Sequence, residues 1–256
     1  MPGPPRRKPS AVPPRVSLAR ALSKLGLCSR TEAARWIVEG RVEVDGRPAR
    51  DPELRVDPAR SRIRVDGAPA QAAGKIYLMM NKPRGLLTTR EDPQGRPTVY
   101  GLLKDAGHSW VGPVGRLDQA SEGLLLFTND TRWADALLDP ACHVPKTYHV
   151  QVAGLPDAAA LARMRAGVKD EGDTLAALEV RLLRSGLKNC WLEIVLDEGR
   201  NRHIRRMLGA LGFETMRLIR VAIGPLALGE LTKGAVKKLT ETERDSLTKA
   251  TRRRRP

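Results

Sequence analysis

Three cysteines, Cys28, Cys142 and Cys190, stand far apart and share no Cys-x-x-Cys spacing, which argues against a disulfide framework and against a zinc site. The four histidines, His108, His143, His149 and His203, lack the helical spacing of metal ligands, so no metal is expected. No apolar run approaches the roughly 18 residues needed to cross a bilayer, and the N-terminal segment carries no apolar signal core. A soluble, cytoplasmic chain with no membrane partner is the expectation. Acidic residues are scarce as well: 29 Asp and Glu stand against 45 Lys and Arg, a net charge of +16 that suits a polyanion, with nucleic acid ahead of an anionic membrane surface.

The charge is unevenly placed. Residues 1–15 hold Arg6, Arg7, Lys8 and Arg15, and residues 249–256 hold Lys249 and Arg252 to Arg255, with no acid in either stretch. Both read as basic tails for weak phosphate contact. The first also carries six prolines and too little apolar surface to offset its ordering entropy, so disorder is expected there.

A first folded unit spans 16–67. Leu18, Leu22 and Leu25 fall at i, i+4 and i+7 of a short amphipathic helix, with Arg20 and Lys24 as a basic pair on another face. Ser29-Arg30-Thr31-Glu32 has capping-box spacing for a second helix with Ala33 and Ile37 inward, leaving Arg30 and Arg35 to solvent. Val42-Glu43-Val44 and Ile63-Arg64-Val65 alternate as strands, each followed by an Asp-Gly turn. Ser29-Arg30, Ala33-Ala34, Ile37, Gly40-Arg41-Val42 and Val44-Asp45-Gly46 together resemble the RNA-binding domain named after ribosomal protein S-four. That resemblance implies RNA, met by Arg20, Lys24, Arg30, Arg35 and Arg41, but no reaction.

Residues 68–74 read as a linker, and 75–248 as a second unit. Lys75 to Met80 forms an apolar strand that Asn81-Lys82-Pro83-Arg84-Gly85 breaks into a turn; Tyr148–Val152 and Trp191–Leu196 are strand-like, and Asp157–Ala166 is helical. Strands and helices do not alternate regularly, which favours an α+β fold with a mixed, largely antiparallel sheet flanked by helices.

Two segments carry chemistry. Gly115-Arg116-Leu117-Asp118, leading to Gly123-Leu124-Leu125-Leu126-Phe127, puts a carboxylate on a loop between strands, where a rigid scaffold can present it to a ligand. Glu198-Gly199-Arg200-Asn201-Arg202-His203-Ile204-Arg205-Arg206-Met207-Leu208 reads as a helix with Ile204, Leu208 and Leu211 inward and Arg202, Arg205 and Arg206 on one cationic side. Like charges so close repel. A counter-charge is implied, either RNA phosphate or a carboxylate such as Asp118.

These blocks, with Asn81-Lys82-Pro83-Arg84-Gly85, Thr128-Asn129-Asp130, Lys146-Thr147-Tyr148, Arg220, Gly224-Pro225 and Leu239-Thr240, occur in the order and spacing of a known family. The chain resembles the ribosomal RNA pseudouridine synthases of the RsuA/RluB type over residues 16–245. The resemblance implies a cofactor-free isomerisation of uridine in ribosomal RNA or a pre-ribosomal particle. It assigns Asp118 as nucleophile, Arg116 to the vacancy left by the flipped nucleotide, Tyr148 to the face of the target base, and Arg205 as salt-bridge partner of Asp118. Leu218 becomes a pocket wall; Lys82, Arg84, Arg202 and Arg206 become RNA-facing cations. His203 stands where many relatives carry Gln, and is expected to alter a hydrogen bond near the RNA. A ribosome-binding protein without catalysis and a glycosidase-like hydrolase using Asp118 with Glu122 are the competing classes. The basic tails lean toward large-subunit RNA.

Overall fold

The computed structural model describes residues 15–103 and 110–252. Two compact units divide at Gly74 and Lys75. The N-terminal tail, apart from Arg15, and the last four residues of the C-terminal tail lie outside the described residues, as does His108.

In the first unit, helices Leu18–Lys24 and Arg30–Val38 pack on a four-stranded sheet ordered Arg47–Ala49, Val42–Val44, Ile63–Val65, Ala68–Pro69. Ser29 starts the second helix by accepting the Glu32 backbone N–H at 3.0 Å. Asp45 and Gly46, and again Asp66 and Gly67, take positive φ, as tight hairpins of right-handed twist require. Pro48 sits on the edge strand, where its missing N–H breaks no ladder. Leu18, Leu22, Ala33, Ile37, Val42 and Ile63 form the core. Residues 68–69, expected in a linker, are instead the last strand of this sheet, paired with Arg64 and Val65.

The second unit is built on a nine-stranded sheet whose main path runs Glu179–Ser185, Asn189–Leu196, Lys146–Ala153, Thr215–Ile223, Glu122–Thr128, Tyr77–Lys82, Val236–Lys238. The Thr215–Ile223 and Glu122–Thr128 pairing is parallel and the other named pairings are antiparallel. At that junction Gly123 is indispensable: a Cβ there would lie 2.3 Å from the Arg220 carbonyl oxygen, and its φ is +101°. Helices Ala158–Ala166 and His203–Gly209 belong to one end of the unit and helices Thr131–Leu138 and Glu241–Arg252 to the other. Asp157 caps its helix by accepting from the Ala160 N–H at 2.7 Å. The architecture is α+β, as its unalternating pattern implied. The last helix continues through Lys249 to Arg252, so the basic C-terminal stretch begins as helix. No helix among the described residues is long and apolar enough to cross a membrane.

Candidate active site

Asp118 rides on the loop between strands Gly112–Val114 and Glu122–Thr128, and that loop is gripped at successive residues by the segment that follows strand Tyr77–Lys82. Thr88 Oγ1 donates to the Leu117 carbonyl at 2.7 Å and accepts the Leu117 N–H at 3.3 Å. The Gly85 N–H donates to the Gln119 carbonyl at 2.7 Å, and the Gln119 amide returns a bond to the Gly85 carbonyl at 3.1 Å. Arg205 Nη2 donates to the Ala120 carbonyl at 3.3 Å. Lys82 completes the hold. Its ammonium donates to the carbonyls of Pro83 (3.2 Å), Asp118 (3.1 Å) and Ser121 (2.8 Å), with the side chain fully buried.

That position corrects the expectation for Lys82. The strand runs on through Asn81 and Lys82 instead of breaking before them, so the lysine points inward and is not available to RNA phosphate. Burial pushes its ammonium down to about 8, while Asp118 and Glu122 pull the other way. Arg84, two residues on, is exposed.

A cavity of about 530 Å³ opens beside the loop and is lined by Arg116, Asp118, Tyr148, Arg202 and Leu218 among others. Tyr148 lies directly across the ladder from Arg220, and Val150 from Leu218, which places Tyr148 and Leu218 on adjoining strands. The carboxylates of the cavity differ in occupation. Asp197 accepts from His143 Nδ1 at 2.7 Å, and Glu198 accepts from Arg200 Nε at 2.9 Å. Asp118 keeps 39 % of its side chain open, and its nearest cation is Arg202 Nη1 at 3.9 Å. Glu122 lies outside this group: it is buried and accepts from Arg217 and from Lys233 at 2.7 Å. Glu122 is therefore not the partner that a hydrolase pairing it with Asp118 requires.

Residues 76–210, more than half of the chain, match the RNA pseudouridylate synthase family. The chain belongs to that family. It is an isomerase acting on RNA, and residues 16–59 match the S4 domain. It is 40 % identical to an RNA pseudouridine synthase of Aquifex aeolicus over 92 % of this chain and 94 % of that one. It is 32 % identical to the ribosomal large subunit pseudouridine synthase B of Bacillus subtilis, over 88 % of this chain and 93 % of that one. A solved pseudouridylate synthase superposes with a TM-score of 0.63 at 26 % identity, covering 91 % of this chain and 99 % of the other.

Within the enzyme, the cationic helix is not the single face its spacing suggested. The helix spans only His203–Gly209; Arg202 precedes it in a left-handed conformation, φ +48°, and Leu211 follows it. That left-handed turn swings Arg202 toward Asp118. Arg205, expected to pair with Asp118, instead donates to the carbonyls of Ala120 and Thr215, so it fixes the Asp118 loop from behind. Burial, then Arg202, push the Arg205 guanidinium down, and Asp118 opposes them, so the two groups feel each other without a direct bond. Arg206 is not an RNA-facing cation either: it donates to Asp170 at 2.6 Å and to Asp173 at 3.0 Å, carboxylates of the 168–175 hairpin. His203 is buried with Nδ1 3.4 Å from Glu198, and burial pushes it below the usual histidine value while Glu198 opposes.

In the first unit Arg20, Arg30 and Arg35 are exposed and Lys24 is half-buried. Arg41, grouped with them, is already engaged. It donates to both Asp66 oxygens, at 2.9 and 2.6 Å, and stacks over Trp36 at 5.1 Å, because the hairpin turn at 66 returns beside the end of the second helix. Thr88 and Lys146 had no role in the sequence pattern, and Glu122 figured in it only as the second acid of a hydrolase. Only the Lys146-Thr147-Tyr148 block hinted at one of them.

Proposed function

We propose that this enzyme isomerises a uridine of ribosomal RNA to pseudouridine in the cytoplasm during ribosome assembly, with Asp118 as the nucleophile. The observation that carries the proposal is the contrast among the cavity carboxylates, where Asp118 is half-open and unbonded while Asp197 and Glu198 are held. A nucleophilic carboxylate must be accessible, and the Asp118 side chain is open to the cavity with Arg202 Nη1 3.9 Å away. Uridine enters by flipping out of its stack, which requires a brace for the vacancy and a flat apolar face for the base. Exposed Arg116 serves the first requirement, and Tyr148 with Leu218 the second.

Arg205 positions Asp118 through the loop, while Arg84 and Arg202 at the rim meet RNA phosphates. The exposed arginines of the first unit add further phosphate contacts, and the large subunit is the favoured source of the target, in keeping with the relative of that name in Bacillus subtilis. A pseudouridine map of ribosomal RNA from cells with and without the gene tests this directly. One modified position should disappear with the gene; an unchanged map of both subunits contradicts the proposal.

A further inference from the structure

Two cations of the active-site cavity take no part in holding the nucleophile loop. Lys146 and Arg220 both line it. Lys146 starts the strand that places Tyr148 two residues later, so the period of two sets both side chains on one face. Arg220 stands opposite Tyr148 on the neighbouring strand. The tyrosine is thus flanked along its own strand by an ammonium and across the ladder by a guanidinium.

Neither cation is satisfied by an anion. Arg220 is 5 % exposed; its Nε donates to the Leu124 carbonyl at 2.7 Å, and its Nη2 is buried without a hydrogen-bond partner among the described residues. Lys146 has one long contact, 3.4 Å to the Asp197 carbonyl. The Asp197 carboxylate accepts from His143, Glu198 from Arg200, and Tyr148 brings no charge. Burial, then the charge of Arg220, hold the Lys146 ammonium below the ordinary lysine value, with Asp197 opposing. A buried guanidinium beside a half-buried ammonium, neither bonded to a carboxylate, is costly to a folded protein, and the cost is relieved when negative charge arrives.

The proposed reaction delivers such charge, and the inference rests on that proposal. When the N1–C1′ bond of uridine breaks, its electron pair remains on uracil and spreads through the ring onto O2 and O4. The pair from C5 then forms the C5–C1′ bond, C5 loses its proton and N1 gains one, so the product is an isomer with nothing added. A base lying against Tyr148 directs its carbonyl edge toward the groups flanking that ring. We infer that Lys146 and Arg220 bind the carbonyl oxygens of the target uracil and stabilise the negative charge that the base carries while detached from the ribose. The same pair selects uracil over cytosine, whose 4-amino group would bring donors against donors.

The test uses the full chain with ribosomal RNA transcripts and three proteins: wild type, Lys146→Met and Lys146→Arg. Methionine of similar length replaces a half-buried, poorly compensated charge, so its melting temperature should be unchanged or higher, while kcat falls about 10²-fold and KM for RNA holds, as expected when stabilisation of a developing anion is lost. Arginine should restore most of kcat. Wild-type activity should decline on the alkaline side as Lys146 loses its proton, and arginine should move that decline to higher pH. Wild-type kcat in Lys146→Met overturns the assignment. So does a loss of activity that comes with a lower melting temperature and is not restored by arginine, because it marks a structural lysine. If the wild-type chain forms no pseudouridine at all, the proposed function and this inference fall together; an active wild type with an equally active Lys146→Met removes this inference alone.

Discussion

The two units place their cations differently. In the first, Arg20, Arg30 and Arg35 stand on the surface, Arg35 with 63 % of its side chain open. In the second, Lys82 is fully buried, Arg220 is 5 % exposed and Arg206 keeps 19 % of its side chain open. A net charge of +16 is one number covering two uses. Surface arginines are available to phosphate, whereas the inward cations hold the carbonyls of the Asp118 loop, the Leu124 carbonyl and the carboxylates of the 168–175 hairpin. Net charge therefore overstates how much of the second unit is offered to RNA.

The largest effect expected from that contrast is at Lys82. Lys82→Met leaves the carbonyls of Pro83, Asp118 and Ser121 without the ammonium, which should cost roughly 3 kcal/mol in urea unfolding. The displaced loop should also lower turnover about 10²-fold. Because burial puts Lys82 at about 8, below an unfolded lysine near 10.4, the unfolded chain binds more protons between those values. The cost of burying this charge is therefore full below pH 8 and is relieved as pH rises toward 10 and above. The variant should lack that rise in its stability curve. An unfolding midpoint equal to wild type would show that the loop does not depend on Lys82.

Arg206→Ala comes next. Because Asp170 and Asp173 hold the guanidinium, the variant should unfold at lower urea while the salt dependence of RNA binding stays as in wild type. A shallower salt slope with unchanged stability would return Arg206 to the RNA surface. The smallest structural effect belongs to the first unit. Arg20→Gln with Arg30→Gln should leave melting unaltered and reduce the slope of log K against log salt by about 1.5–2, one counterion for each lost phosphate contact. An unchanged slope would make that unit a scaffold.

What was legible in the sequence was mostly local. The Ser29 cap, the Asp45-Gly46 and Asp66-Gly67 turns and the alternation around Tyr148 each depend on residues a few positions apart. The Gly-Arg-Leu-Asp loop carried the family pattern and with it Asp118. What was hidden depends on distant partners. Lys82 meets acceptors 36 and 39 residues later, and its burial is invisible in an Asn-Lys-Pro-Arg-Gly string that reads as an exposed turn. Arg206 finds carboxylates 33 and 36 residues earlier, on a hairpin that no helical pattern announces. Arg202, left-handed ahead of the helix, lies 3.9 Å from the carboxylate where Arg205 was expected, and Arg205 bonds loop carbonyls instead.

The whole assignment turns on Asp118, and its most direct measurement is tritium release from ribosomal RNA carrying uridine labelled at carbon five. Asp118→Asn replaces the carboxylate by an amide of nearly the same shape and far lower nucleophilicity. The variant should release no tritium above background while binding the transcript as wild type does. Release at the wild-type rate would contradict Asp118 as the nucleophile.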